Sequence, residues 1–459
     1  MYLKPLIFLN ILIMIAYAVI AFPDGVVALL PIIIVSGVVI FFANRFEREE
    51  SNILIQVFLI ALAARLTLGL LVDVFDLRGF FGGDANTYNR IASKIVDVWT
   101  GVSGSEILES RDLNRMAGGS RGMYYLTATL YLFFGKNILA AQAFCGTVGA
   151  ATAPVVYRCA KLLYSNRRVA IIAAYFVALF PAMIVWSSQL LKDGLIVFLL
   201  AFSMLMIIRL QKKFSTVDIL LLCVAMLGVV TFRFYIFYML AAAVVGAFIV
   251  GSGGTKQSLT VRLAALLMIG LGLTYLGVLR SAGRGLERID SLQTVQTSRA
   301  GLARDEAGFG EDIDVSTTEG AISAIPIGLT YLLLAPFPWQ VATLRQTVVL
   351  PDVLIWWSSL FFLVVGVIYS IRHKFKETVP IFLFTGMLSF AYSIFQGNVG
   401  TAYRQRTQIQ VFLFIFIAVG ITVFLERREN KKALREARRR EMDRNFRERE
   451  RLRVEGVGS

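Results

Sequence analysis

Asp84 is the residue best placed to move a proton. It stands in Gly82-Gly83-Asp84-Ala85-Asn86-Thr87-Tyr88-Asn89-Arg90-Ile91-Ala92, directly after a long apolar run. The two glycines let the backbone turn sharply and approach a ligand closely. Tyr88, Ile91, Ile95 and Trp99 then recur at helical spacing with polar residues between them, which predicts an amphipathic helix in a membrane interface. Asp84 is thus a carboxylate at a bilayer surface, at the N-terminus of that helix. One role for it is a helix cap; the other is a general base.

The cations that could work with it lie far apart in sequence. Arg111 and Asp112, with Arg115 and Arg121, follow in the same polar stretch. Lys192 and Asp193 fall between two apolar runs, and Arg233 stands among Phe232, Phe234 and Tyr235. Tyr403-Arg404-Gln405-Arg406 follows Gly400 between the last two apolar runs. Two arginines at i, i+2 beside a glycine suggest a phosphate clamp, because guanidinium forks match phosphate oxygens. His373 is the single histidine, and Cys145, Cys159 and Cys223 lie apart in apolar runs. A histidine-based triad, a multi-histidine metal site and a disulfide framework are therefore excluded. Acid–base chemistry falls to Asp or Glu, with Arg and Lys to stabilise charge.

The elements that must position these residues are membrane helices. The 459 residues are 57% hydrophobic and 17% charged, and repeated apolar runs predict an all-α, polytopic transmembrane bundle. Twelve spans are expected, at 5–22, 25–43, 52–75, 138–160, 169–188, 193–210, 217–232, 235–251, 261–279, 349–371, 378–396 and 409–425. Pro326 to Pro336 reads as a re-entrant or interfacial helix, and 121–134 as a second amphipathic helix. Arg65, inside the third span, should face the protein interior, where its charge can be satisfied. The chain divides into a hairpin with its turn, 1–51, a main transmembrane domain, 52–425, and a charged tail, 426–459. Outer loops are expected at 76–137 and 280–348. Arg167-Arg168, Arg209 with Lys212-Lys213, and Arg372 with Lys374 and Lys376 fall on one side with the tail. The positive-inside rule makes that side cytoplasmic, with both termini on it and every candidate site residue outside. The net charge is +15, and the tail, which holds many of the basic residues, lies beside an anionic leaflet; no nucleic-acid partner is expected.

The run from Asp84 to Ala92 resembles the first-loop motif of the GT-C glycosyltransferases, which include protein O-mannosyltransferases and bacterial aminoarabinose transferases. Tyr124-Tyr125-Leu126 through Phe133-Phe134-Gly135 is similar to that family's second interfacial helix. Tyr157, Arg158 and Arg167-Arg168, then Ala178-Leu179-Phe180-Pro181 and Trp186-Ser187-Ser188, resemble its next segments. Ala85 stands where many relatives carry a second acid, and two additional spans precede the motif. The resemblance implies an inverting transferase that moves a sugar from a polyprenyl-phosphate donor to an extracytoplasmic glycan, lipid or protein. It makes Asp84 the general base and places Tyr88, Arg111, Asp112, Arg121, Lys192, Asp193, Arg233, Tyr403, Arg404 and Arg406 around the substrates. Many relatives use a divalent metal, for which Asp84 and Asp112 are the only nearby pair. Two other readings are an outer-leaflet polysaccharide polymerase or ligase, in which Arg404 and Arg406 would be central, and a transporter of lipid-linked substrate.

Overall fold

The structure, a computed structural model, describes residues 3–46, 48–81, 83–102, 121–250, 259–280, 283, 292–304, 307–341 and 344–455. They form helices throughout, and the only β pairing among them is an isolated bridge between Gly308 and Asn398. Seven of these helices are long and apolar enough to cross a membrane, or eight if Arg167–Leu179 and Pro181–Ser187, bent by 52°, form one span. Twelve spans were expected. Part of the difference is length: Thr216–Phe232, Phe234–Ile249 and Leu259–Tyr275 have 17, 16 and 17 residues. At 1.5 Å per residue, such a helix reaches about 25 Å, short of a hydrocarbon core of about 30 Å. The rest is continuity: Leu350–Phe395 runs as one 46-residue element in which two helices meet at non-helical Lys374.

The interior is an apolar core shared by most of the helices. Ile138–Tyr164 packs against Ser51–Val74, Asp24–Phe46 and Lys192–Lys212. Fifteen of the 21 residues of Lys192–Lys212 are buried, so this helix is central and apolar all round. Val399–Glu455 packs its first half against Leu350–Phe395 and runs on, without a break, as an exposed charged helix.

The two ends of the bundle differ in chemistry. At one end Arg168 pairs with Glu429 at 2.9 Å, Lys212 donates to the Leu162 carbonyl, and Gln211 donates to the Lys376 carbonyl. These contacts gather the basic short loops, the Lys374 kink and the tail. At the other end lie Asp84, Asp193, Arg233 and Arg404. Arg65 is buried at 2% exposure, as expected. It donates to the carbonyls of Val177 and Ala178 at 3.1 and 3.0 Å and to Ser187 Oγ at 2.8 Å. Pro181 interrupts the helix there and lacks an amide hydrogen, so the guanidinium satisfies carbonyls that the break leaves open.

The three native cysteines are buried, which leaves a quiet background for labelling. Cysteines introduced at exposed Asn86 and exposed His373 lie at opposite ends. Asn86→Cys should react with an impermeant maleimide in intact cells, and His373→Cys only after permeabilisation; the reverse pattern would invert the orientation.

Candidate active site

Asp84 is the first residue of the helix Asp84–Thr100, and the capping position belongs to Gly83, which makes no side-chain cap bond. The carboxylate is therefore free of a capping role. It accepts instead from Arg404 Nη1 at 2.7 Å, across 320 residues of sequence. The buried face of this helix, with Ala85, Tyr88, Ile91, Ala92, Ile95 and Val96, packs on Arg121–Phe134. Tyr88 meets Tyr124 edge-on with ring centroids 5.2 Å apart. Burial, and then the negative charge of Asp84, push the Tyr88 phenol up, so it remains a neutral donor.

Arg404 lies in the first turns of Val399–Glu455. Its Nε donates to Asp193 Oδ2 at 2.5 Å, and its guanidinium lies over the Trp186 ring, 5.5 Å from the centroid. Asp193 is fully buried in the first turn of Lys192–Lys212, where the helix dipole favours a negative charge. Its other oxygen accepts from Arg233 Nη2 at 3.2 Å, and Arg233 Nη1 donates to the Tyr235 hydroxyl at 2.8 Å. Half-buried Lys192 lies in the electrostatic field of Arg233, Asp193, Arg404 and Asp84. One continuous chain thus runs Asp84, Arg404, Asp193, Arg233, Tyr235, with Lys192 beside it: three cations and two carboxylates.

Close packing sets this chain in place. Asp193 is followed by Gly194, where a Cβ would fall 2.6 Å from Ser187 Cβ; at Gly149 it would fall 2.5 Å from the same atom. Both glycines let the short helix Pro181–Ser187, and with it Trp186, seat against the Asp193 turn. At Gly122 a Cβ would fall 2.9 Å from Thr231 Oγ1, which brings the exposed start of the Arg121 helix beside the turn that carries Arg233.

Arg406 does not join this chain. Residues 404 and 406 are both helical, so they point roughly 200° apart around the axis. The spacing that suggested a clamp in a loop separates the two arginines on a helix. Arg406 is fully buried on the far side, donating to the carbonyls of Leu333 and Ala335 at 3.1 and 2.8 Å, 4.0 Å from Asp352. Its guanidinium lies over the rings of Tyr403 and Trp356. Tyr403 is buried between the two groups, 6.2 Å from Trp186 in ring centroids and facing Asp352. Arg111 and Asp112 lie outside the described residues.

Three contributors escaped the sequence reading. Trp186 and Tyr235 were seen only as parts of interfacial segments, although an aromatic beside a predicted cation is the signature of a stacking partner. Asp352 is the third: it accepts from the Ala182 backbone N–H at 3.0 Å and so ties the Trp186 helix to the start of Leu350–Phe395. Among the described residues no three His, Cys, Asp or Glu side chains converge as metal ligands, and Asp84 faces a guanidinium; its candidate partner for a metal, Asp112, lies outside those residues.

Residues 122–278 match the family model described as dolichyl-phosphate-mannose-protein mannosyltransferase. The match covers about a third of the chain. It takes in Lys192, Asp193 and Arg233, and leaves Asp84 and Arg404 outside. Over that stretch it bears out the GT-C resemblance, and it supports a membrane glycosyltransferase of that type. No curated protein gives a match.

The two carboxylates should respond differently to amide replacement. Asp193→Asn leaves two arginines short of a buried counter-charge and should cost about 3–5 kcal/mol. Asp84 is half exposed in its ion pair, and Asp84→Asn should cost no more than about 1 kcal/mol. Thermal unfolding of the purified variants in one detergent checks both; equal shifts would mean that the buried pair is not the anchor.

Proposed function

We propose that this chain is an inverting membrane glycosyltransferase, which moves a sugar from a polyprenyl-phosphate-linked donor to an acceptor hydroxyl on the outer side of the plasma membrane. One observation carries the reading: a half-exposed carboxylate, Asp84, shares a single guanidinium with a cation cluster that retains a net positive charge. The reaction needs that juxtaposition. The acceptor oxygen attacks the anomeric carbon from the face opposite the lipid phosphate. As the new C–O bond forms, the bond to the phosphate oxygen breaks, and the phosphate leaves with the electron pair. Asp84 takes the hydroxyl proton. Arg404, Arg233 and Lys192 stabilise the charge that develops on the departing phosphate.

The match across 122–278 supports the same class, since that family's name specifies a lipid-phosphate sugar as donor. The placement of Arg406 weighs against the polymerase or ligase reading, which relied on Arg404 and Arg406 acting together. Both termini are assigned to the cytoplasm by the charge of the short loops.

The test is transfer in vitro with purified protein, a panel of polyprenyl-phosphate sugars that includes mannose, and acceptor extracts. Wild type should form product with at least one donor. Asp84→Asn should lose roughly a hundredfold or more in turnover while remaining folded, as expected for removal of a general base. Arg404→Ala should cost about 2–4 kcal/mol of transition-state stabilisation. Full activity of a folded Asp84→Asn protein would remove the base assignment, and no transfer by wild type across the panel would remove the reading.

A further inference from the structure

Arg404 Nη1 carries two N–H groups, and Asp84 already accepts from that nitrogen. Arg404 Nε is committed to Asp193, which is fully buried and cannot withdraw into water. Its Nη1 is held by Asp84, and its Nη2 is buried with no hydrogen-bond partner among the described residues. A phosphate is gripped best by two parallel N–H groups. With Nε taken, the edge that offers two is Nη1 with Nη2, and Asp84 is bound to one of those two nitrogens.

Asp84 is built to leave. Its side chain is 51% exposed in the ion pair, against 0% for Asp193, so water can replace the bond that it gives up. It makes no cap bond, and Gly83 before it has open space on its Cβ side. While it is paired, its Oδ2 is taken up by the Arg404 N–H and is not offered to an acceptor hydroxyl. A phosphate that takes Arg404 frees that oxygen to meet an acceptor hydroxyl.

We infer that the Asp84–Arg404 pair is a resting lock: the phosphate of the lipid donor displaces Asp84 from Arg404, and donor binding thereby releases the base. This rests on the transferase reading above. It sets a compulsory order, in which the lipid-linked donor must bind before any acceptor hydroxyl can be activated. The guanidinium stays fixed by Asp193 throughout, and only the exposed carboxylate moves.

The probe is sugar-free polyprenyl phosphate, which presents the same head group and cannot react. Its affinity is measured in nanodiscs for wild type, Asp84→Asn, Arg404→Gln and the double variant, with thermal unfolding to confirm the fold of each. If Asp84 competes for Arg404, Asp84→Asn should bind about tenfold tighter, the size of one charge-assisted hydrogen bond no longer contested. In the Arg404→Gln background, where Arg233 and Lys192 still attract phosphate, the same substitution should change affinity less than twofold. The protein that binds best would then be one that cannot catalyse. No gain in Asp84→Asn would overturn the lock. So would a gain that persists without Arg404, since that is a general field effect. Absence of binding by wild type and by every variant would overturn the lipid-phosphate reading beneath it.

Discussion

The site depends on one guanidinium shared by two carboxylates of unequal burial. Arg404 joins the helix Asp84–Thr100, through Asp84, to the central helix of the bundle, through Asp193. Burying Asp193 would be costly alone, because taking a carboxylate out of water costs several kcal/mol after relaxation. Arg404 and Arg233 each meet one of its oxygens, and Tyr235 accepts in turn from Arg233. The buried half of the network therefore has a defined geometry, while the Asp84 half remains open to solvent. A fixed cation next to a half-exposed carboxylate fits the phosphate-leaving chemistry proposed above.

A second buried cluster holds the first in position from behind. Asp352 takes the Ala182 N–H and faces Tyr403, while Arg406 takes two carbonyls at the end of Thr318–Leu334. Trp356 donates its indole N–H to the Leu333 carbonyl at 2.6 Å, so that helix end is satisfied twice over. Beyond it, the Phe309 N–H donates to the Gly397 carbonyl at 2.7 Å and the Val399 N–H to the Ala307 carbonyl at 2.9 Å. The chain ahead of Thr318–Leu334 thereby pins the start of the helix that bears Arg404. Buried polar groups in such a place are expensive unless paired, and the pairing fixes the register of four helices.

Much of this was legible in the sequence, for identifiable reasons. An acid after two glycines at the end of an apolar run, and cations at the ends of other runs, stand out because lipid tolerates neither, and Asp84, Asp193, Arg233 and Arg404 do meet. Arg65 was readable as interior on the same ground. What failed was periodicity: Arg404 and Arg406 look like a pair in a loop and become opposite faces once Val399 starts a helix. Asp352 was hidden because an acid at the start of a helix has an ordinary explanation, and its partner Ala182 is a backbone N–H with no sequence signal. The twelve expected spans are met only in part, by seven long apolar helices among the described residues, because hydropathy reports apolar length without showing where a helix bends or stops short.

The central claim is that Arg404 is the place where the lipid phosphate is held. The most direct measurement is a cryo-EM reconstruction of the protein with bound polyprenyl phosphate. The account predicts phosphate density within hydrogen-bond distance of Arg404 Nη1 and Nη2, with Asp193 still on Nε and Asp84 turned away. Phosphate density elsewhere, with the Asp84–Arg404 bond intact, would contradict it.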